Sequence, residues 1–247
     1  MPKSDAPRPR TGSYSAPALE KGFNVLEILA DTPSGLTVSE IAARLGLSLS
    51  EIFRVVMVME QRGWLRKGAG DKYRVTPKVL ELAFRATGGE ELTVIAAPIL
   101  RDLCVRIEQS CHLVVRNGER GLVMFRAENP GPTGLAVRLG ADIALDTTCS
   151  GHVLLAFAGD TDSLPELAGE FAKIRTRGFA QMKSTRTLGV TDISCPVFGL
   201  GGKIVAAVTV PFVRLIDGSQ DVGLDQACAE LLKAAQSISA EMTGGAD

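Results

Sequence analysis

Cys149-Ser150-Gly151-His152 places a thiol, a hydroxyl and an imidazole within four consecutive positions. Drawn as chemistry, that is a nucleophile beside a base. Such a pair must meet in space, with a third group orienting the base. Residues three apart at a helix start, with no orienting carboxylate, rarely form that unit, and the chain has no G-x-S-x-G elbow. Cys104, Cys111 and His112 invite a metal site, with Cys149 and His152 as further ligands. Yet Cys104 falls on an apolar helical face and Cys111 opens a strand, where thiols act as small buried hydrophobes. Two histidines in the whole chain furnish a transition-metal site poorly. Gly199 to Lys203, "GLGGK", lacks phosphate-loop spacing and has Ile204 in the Ser/Thr place, so it reads as a hairpin turn. Catalytic residues, metal ligands and cofactors are therefore not expected. Ser150-Gly151 at a helix N-terminus is the more useful feature. Free N–H groups and the positive end of the helix dipole suit a carboxylate there, although Ser150 could simply cap the helix.

A second chemistry is phosphate neutralisation. Leu47 to Val75, "LSLSEIFRVVMVMEQRGWLRKGAGDKYRV", sets Arg66, Lys67, Lys72 and Arg74 around a glycine-containing turn. Lys and Arg so placed meet the backbone of a nucleic acid, or else only solvate a small hairpin.

The elements before that turn favour the first alternative. Leu19 to Ala30 carries Leu19, Phe23, Leu26 and Leu29 on one helical face, and "DTPSG" breaks it. Thr37 and Glu40 form a capping box for a second helix, which Gly46 ends. Ser48 and Glu51 repeat the box at once and start a third helix running to about Arg62. Helix, short Gly-containing turn, helix is a helix-turn-helix. Ile52, Val55, Val56 and Met59 point inward, while Glu51, Arg54, Val58 and Gln61 lie on other faces. "WLRK" and "KYRV", joined by "GAGD" with two glycines tolerating positive φ, close a winged helix.

Beyond it, "PKVLELAFR" is a short amphipathic helix ended by "ATGG", and "ELTVIAAPILRDLCVRIEQS" a long helix. "CHLVVRNGERGLVMFRAEN" is a hairpin signalled by Asn117-Gly118, and "GLAVRLGADIALD" a further strand segment. Two helices ("SGHVLLAFAG", "SLPELAGEFAKIRTRG"), a second hairpin turning at residues 199–202, and a closing helix ("GLDQACAELLKAAQSISAEM") follow. This order describes an α+β domain with a mostly antiparallel sheet.

Composition sets limits. The 247 residues are 45% hydrophobic and 22% charged, ordinary for a globular chain that builds its own cores. Residues 1–78 hold 12 Lys and Arg against 8 Asp and Glu, and the remainder 15 against 20. The basic end is the one expected to meet nucleic acid. Five cysteines without C-x-x-C spacing suit reduced thiols. Residues 1–14 read as a disordered basic arm and not a signal peptide, and no apolar run approaches a membrane span of ~20 residues. A cytoplasmic protein is expected.

Five segments in order carry a resemblance over roughly residues 15 to 245. They are "ALEKGFNVLEILADTPSGLTVSEIAARLGLSLSEIFRVVMVMEQRGWLRK", "YRVTPKVLELA", "TTCSGHVLLAF", "RTRGFAQMKSTRTLGVTDISCPVF" and "GKIVAAVTVPF". In these the chain resembles the IclR family of bacterial transcription regulators. The resemblance implies a winged-helix DNA-binding domain (15–76), a linker helix (77–90) and a GAF-like effector-binding domain (91–247). It implies dimers or dimers of dimers on a double-stranded operator, and catabolic or stress genes controlled by a small, often acidic, metabolite. The family often has a basic residue and a Thr early in the recognition helix, where this chain has Leu49 and Glu51. That leaves Ser48, Ser50 and Arg54 as the contacts, with Glu51 either reading a cytosine amino group or completing its capping box. The family's ligand contacts fall on Leu135, Cys149, Ser150, Met182, Asp192, Thr209 and Pro211. Met182, Lys183 and Ser184 stand where relatives have acidic residues, which turns the pocket mouth from anion-repelling to anion-attracting. The expected protein is a ligand-responsive regulator. The alternative is a small-molecule-binding or enzymatic α+β protein whose winged helix mediates protein contact.

Overall fold

The computed structural model describes residues 16–87, 89–131, 134–159, 164–217 and 219–244. The arm expected over residues 1–14 lies outside them. The chain divides into two compact units, Met1–Thr87 and Gly88–Asp247.

The first unit is built from local signals. Helix α1 (Pro17–Ala30) starts on a proline, whose missing N–H has no intrahelical partner to lose there. Before α2 (Val38–Leu45), the Thr37 hydroxyl accepts from the Glu40 N–H at 3.3 Å, and the Glu40 carboxylate accepts from the Thr37 N–H at 2.7 Å. Gly46, left-handed at φ 64°, ends the helix where a Cβ would be strained. Helix α3 (Leu49–Gln61) starts at once, with the Ser48 N–H and hydroxyl both donating to Glu51 Oε2 at 3.0 and 2.7 Å. Strands β1 (Leu65–Lys67) and β2 (Tyr73–Val75) pair antiparallel, and α4 (Lys78–Thr87) follows. Val25, Leu29, Ile41, Ile52, Val56, Leu65 and Tyr73 fill one core.

One sequence expectation changes here and two become more specific. The α1 stripe splits: Leu29 enters the core beside Val25, whereas Leu19 and Phe23 stay 57% and 55% exposed. In the hairpin turn only one of the two expected glycines takes positive φ. Gly70 sits at 68° and Gly68 is extended, the second left-handed residue being Asp71 at 57°. Its short polar side chain tolerates that region. Finally, "ATGG" ends the helix as expected, α4 stopping at Thr87 within it and α5 beginning at Gly89.

The second unit is three-layered. Strands β3 (Cys111–Asn117), β4 (Arg120–Ala127), β5 (Asp142–Ala144), β6 (Ala180–Lys183), β7 (Val190–Phe198) and β8 (Ile204–Val213) form one antiparallel sheet in the order β5-β4-β3-β8-β7-β6. Successive side chains on a strand face opposite ways, and β8 shows the consequence. Ala206, Val208, Val210 and Phe212 pack with α5 (Gly89–Ile107) and α8 (Leu224–Met242), while Ala207 packs with α6 (Cys149–Ala158) and α7 (Ala168–Arg177). Two cores thus sandwich the sheet. "GLAVRLGADIALD" is mostly not strand, only residues 142–144 pairing as β5 at the edge. Conversely, "AQMK", which the sequence reading assigns to no strand, is β6 at the opposite edge.

Candidate functional site

Two surfaces carry polar groups that the fold does not use. The first is the solvent face of α3. With 3.6 residues per turn, Ser50, Arg54, Met57 and Gln61 line the side opposite buried Ile52, Val56 and Met59. Arg54 has no ion-pair or hydrogen-bond partner among the described residues, and neither has Arg66 on β1. Lys72 lies near Glu40, lowering the pKa of that carboxyl together with the larger effect of its Thr37 hydrogen bonds. The other basic residues of the hairpin are engaged. Lys67 pairs with Asp71 at 2.8 Å, which raises its pKa, and Arg74 donates to the Ser34 carbonyl at 3.2 Å. Glu51 is engaged as well. Hydrogen bonds from Lys21 (2.8 Å) and Ser48 hold its pKa down at about 2. Ser48 spends its N–H and hydroxyl on the same carboxylate.

Beside this face runs an apolar groove of about 800 Å³, lined by Leu19, Phe23 and Leu26 of α1, Val55 and Val58 of α3, Trp64 and Leu82 of α4. Glu51, Lys21 and Arg54 stand at its polar side.

The second surface is a cavity of about 110 Å³ in the second unit, between the start of β3, the later part of β8, the start of α6 and residues 184–187. Its walls include Leu135, Val137, Ile143 and Pro211, and its polar groups are His112, Thr148, Ser150, Asp192, Thr209 and Arg186. His112 and Ser150 are buried, and neither side chain has a hydrogen-bond partner among the described residues. Burial pushes the His112 pKa down to about 4, so the ring is neutral at pH 7, with one nitrogen donating and the other accepting. Thr209, across from His112 in the β3–β8 register, shares a 2.9 Å hydrogen bond with Ser194. Burial raises the Asp192 carboxyl, partly offset by a hydrogen bond from Ser184.

Of the ligand contacts expected from the sequence, Leu135, Cys149, Ser150, Asp192, Thr209 and Pro211 come together around this cavity. Gly151 does not line it. A Cβ there would meet the Leu145 carbonyl oxygen at 2.3 Å, so the glycine serves close packing of α6 against the preceding loop. Its N–H is also taken, by Thr148 Oγ1 at 3.2 Å, so Thr148 and not Ser150 caps the helix. Met182 packs into the α6–α7 core, because strand β6 turns it away from the cavity. The cation at the mouth is Arg186, and Lys183 is not among the lining residues. Ser184, placed at the pocket mouth from the sequence, lines the cavity, whereas His112, Thr148 and residues 185–187 escaped sequence reasoning as cavity residues. The one signal for His112 was a polar residue at the start of an otherwise apolar strand.

The "CSGH" run is not assembled for catalysis. The His152 Nε2 lies 2.7 Å from the Asp146 carbonyl and its ring stacks edge-on to Phe171 at 5.7 Å, while Cys149 donates to the Asp192 carbonyl at 3.4 Å. No group of three or more His, Cys, Asp or Glu among the described residues could hold a metal. Cys111 and His112 are adjacent in β3 and so serve opposite faces of the sheet. No helix of the described residues is long and apolar enough to cross a membrane.

Known proteins match over both units. Residues 18–69 match the family model described as IclR helix-turn-helix domain, and residues 84–165 and 160–240 that described as bacterial transcriptional regulator IclR C-terminal. The chain is 29% identical over 245 residues to the HTH-type transcriptional regulator BhcR of Paracoccus denitrificans, covering 87% of each protein. It is 24% identical over 249 residues to the DNA-binding transcriptional repressor YiaJ of Escherichia coli, covering 91% of this chain and 87% of that one. Among solved structures, an IclR homolog from Microbacterium hydrocarbonoxydans complexed with 4-hydroxybenzoate has the same fold. Its TM-score is 0.77 at 22% identity, covering 91% of this chain and 98% of that one.

Proposed function

The chain belongs to the IclR family of bacterial transcription regulators, non-enzymatic proteins that bind DNA through a helix-turn-helix, and from that membership we propose a ligand-responsive regulator of catabolic genes. Its effector is a small carboxylic acid, hydroxylated and aromatic or short-chain. The observation that carries this reading is the pair His112 and Ser150. Two largely buried polar side chains, without protein partners among the described residues, open onto one cavity, where a ligand's polar groups can meet them. Arg186 supplies a cation for a carboxylate, and Leu135, Val137, Ile143 and Pro211 supply apolar walls. Because Thr148 takes the Gly151 N–H, the helix N–H groups left for an anion are those of Cys149 and Ser150. That the Microbacterium homolog is complexed with 4-hydroxybenzoate supports a ligand of this chemistry and size.

On DNA, Arg54 and Ser50 read bases in the major groove and Arg66 and Lys72 neutralise phosphates. One recognition helix reads few bases, so two half-sites and a homodimer, or a dimer of dimers, complete the operator. The apolar groove of α1, α3 and α4 is the contact between DNA-binding units of two copies. The effector acts by binding two arrangements of that assembly with different affinity, which is the only way it can shift them.

The test is thermal unfolding of the full chain against a panel of small carboxylates, hydroxybenzoates and their uncharged amides. A ligand that binds only the folded state at a hundred times its Kd adds about 2.7 kcal/mol of apparent stability. A carboxylate that raises the midpoint while its amide does not supports the reading, and a panel with no response at millimolar concentration overturns it.

A further inference from the structure

Cys104, in the last turns of α5, and Cys111, the first residue of β3, bring their sulfurs to 3.3 Å in the core between helix and sheet. Both are almost fully buried. The other three thiols serve as internal controls, because Cys149, Cys195 and Cys228 make no hydrogen bond to another sulfur among the described residues. A disulfide has S–S near 2.05 Å, so closing the bond needs the two sulfurs to approach by only about an ångström. The segment between them is already held fast. The Gln109 side chain pairs with both the N–H and the carbonyl of Val213 at 3.0 Å, and Ser110 Oγ accepts from the Asn129 N–H.

We propose that Cys104 and Cys111 are a peroxide-responsive dithiol, which closes to a reversible disulfide and reports to the cavity through the next residue, His112. The two sulfurs are not equivalent. Where Cys111 donates its S–H to Cys104, the Cys104 thiolate is favoured and its pKa lowered, whereas that same bond and burial raise Cys111; as thiols, Cys104 also donates to the Ala127 carbonyl at 3.3 Å and Cys111 to the Leu100 carbonyl at 3.6 Å. Cys104 is therefore the attacking sulfur, since the thiolate is the nucleophile. Its sulfur takes one peroxide oxygen, the O–O bond breaks, and hydroxide leaves and is protonated to water. Cys111 then attacks the sulfenic sulfur. An S–S bond forms, the S–O bond breaks, and hydroxide leaves with the Cys111 proton as a second water. Two thiols and one peroxide give one disulfide and two waters, and an external dithiol reverses it. Burial selects the oxidant, because a peroxide of a few atoms reaches such a core through local opening and a bulky disulfide does not. Side chains of consecutive strand residues face opposite ways. Fixing Cys111 toward α5 therefore shifts the strand residue that carries His112 into the cavity.

The experiment uses the full chain and needs no effector or DNA, so its result is independent of the functional reading above. The reduced protein is treated with hydrogen peroxide or with glutathione disulfide, and thiols are counted after denaturation. Peptides are mapped by mass, and the ring resonances of the two histidines are followed. Peroxide should reduce five thiols to three, with a 104–111 cross-link lost on adding dithiothreitol and a shift of the His112 ring larger than that of His152. Cys111→Ser and Cys104→Ala should each abolish the cross-link. Either variant suffices if the other fails to fold. Five surviving thiols, a cross-link elsewhere, irreversible over-oxidation, equal reaction with glutathione disulfide, or an unmoved His112 ring would overturn the proposal.

Discussion

Lys21 of α1 and Glu51 in the first turn of α3 are joined by an ion pair of 2.8 Å, which ties the opening helix to the helix expected to read DNA. The same carboxylate accepts the Ser48 N–H and hydroxyl. Three donors converge on Glu51, which fits a role in fixing where α3 starts rather than in reading a base. We expect Glu51→Gln to leave specific DNA affinity undiminished while lowering the unfolding midpoint. A drop in affinity of the size of a base contact, about 1–3 kcal/mol, would return Glu51 to the reading face. The pH dependence follows from the depressed pKa. The native carboxyl titrates at about 2 against an ordinary 4.5. Its contribution is complete above the unfolded value and is lost as pH falls from there toward 2. The stability difference between wild type and Glu51→Gln should shrink across that window and vanish below it, as acid titration of the unfolding midpoint would reveal.

The uncommitted cations set the second expectation. Arg54→Ala should weaken binding to the operator by about 1–3 kcal/mol and relax specificity at one base pair. Arg66→Ala and Lys72→Ala should weaken all sequences alike, each reducing the salt slope by about one. Lys67 is held by Asp71, so its loss should matter less than that of Arg66. Fluorescence titrations at several salt concentrations separate these effects, and equal behaviour of Arg54 and Arg66 variants would refute the division.

How much of this was legible in the sequence depends on the range of the interaction. The two capping boxes, Thr37 with Glu40 and Ser48 with Glu51, are three-residue spacings whose partners are fixed by helix geometry. The three hairpins read in the sequence announced themselves through their turns. What could not be read required partners distant in the chain. Strand β6 exists because Ala180 to Lys183 finds β7, and four residues after a helix give little period to detect. The α1 stripe was legible as an apolar face, but periodicity alone cannot say that Leu29 enters the core while Leu19 and Phe23 are left for another surface. His112 and Arg186 meet at the cavity from strand and loop 74 positions apart, a proximity that no local pattern encodes.

Assembly gives the third expectation. Phe23 and Leu82 are 55% and 46% exposed on the same groove. An apolar surface of this kind on an isolated unit marks an interaction site. Phe23→Asp and Leu82→Glu should disrupt association of DNA-binding units, since a carboxylate in an apolar contact is left without a partner. Because neither side chain is buried in the unit, stability should change little. The readouts are light scattering at micromolar concentration and the spacing requirement on paired half-sites. A wild-type chain that is monomeric, or variants that assemble unchanged, would remove this face from the interface.

The effector cavity supplies the last expectation, and its chemistry can be separated group by group. Thr209→Val deletes a hydroxyl on the wall and Ser150→Phe fills the space beside the α6 N-terminus. Arg186→Ala removes the cation. Losing a hydrogen bond to a charged group costs about 1.5–3 kcal/mol, so the Arg186 variant should bind a carboxylate about tenfold or more weakly and its neutral amide unchanged. His112 adds a pH signature. Its native pKa is about 4 against an ordinary 6.5, so below 6.5 the unfolded chain takes up a proton that the folded one refuses. Stability is then lost as pH falls from 6.5 toward 4, by up to about 3 kcal/mol at 1.36 kcal/mol per unit. His112→Gln should remove that acid sensitivity and weaken the ligand together, which only a buried residue in contact with the ligand would do. Calorimetry of the best carboxylate between pH 5 and 8 decides it. If Thr209→Val, Ser150→Phe and His112→Gln all bind as tightly as the parent, the effector is held elsewhere in the chain.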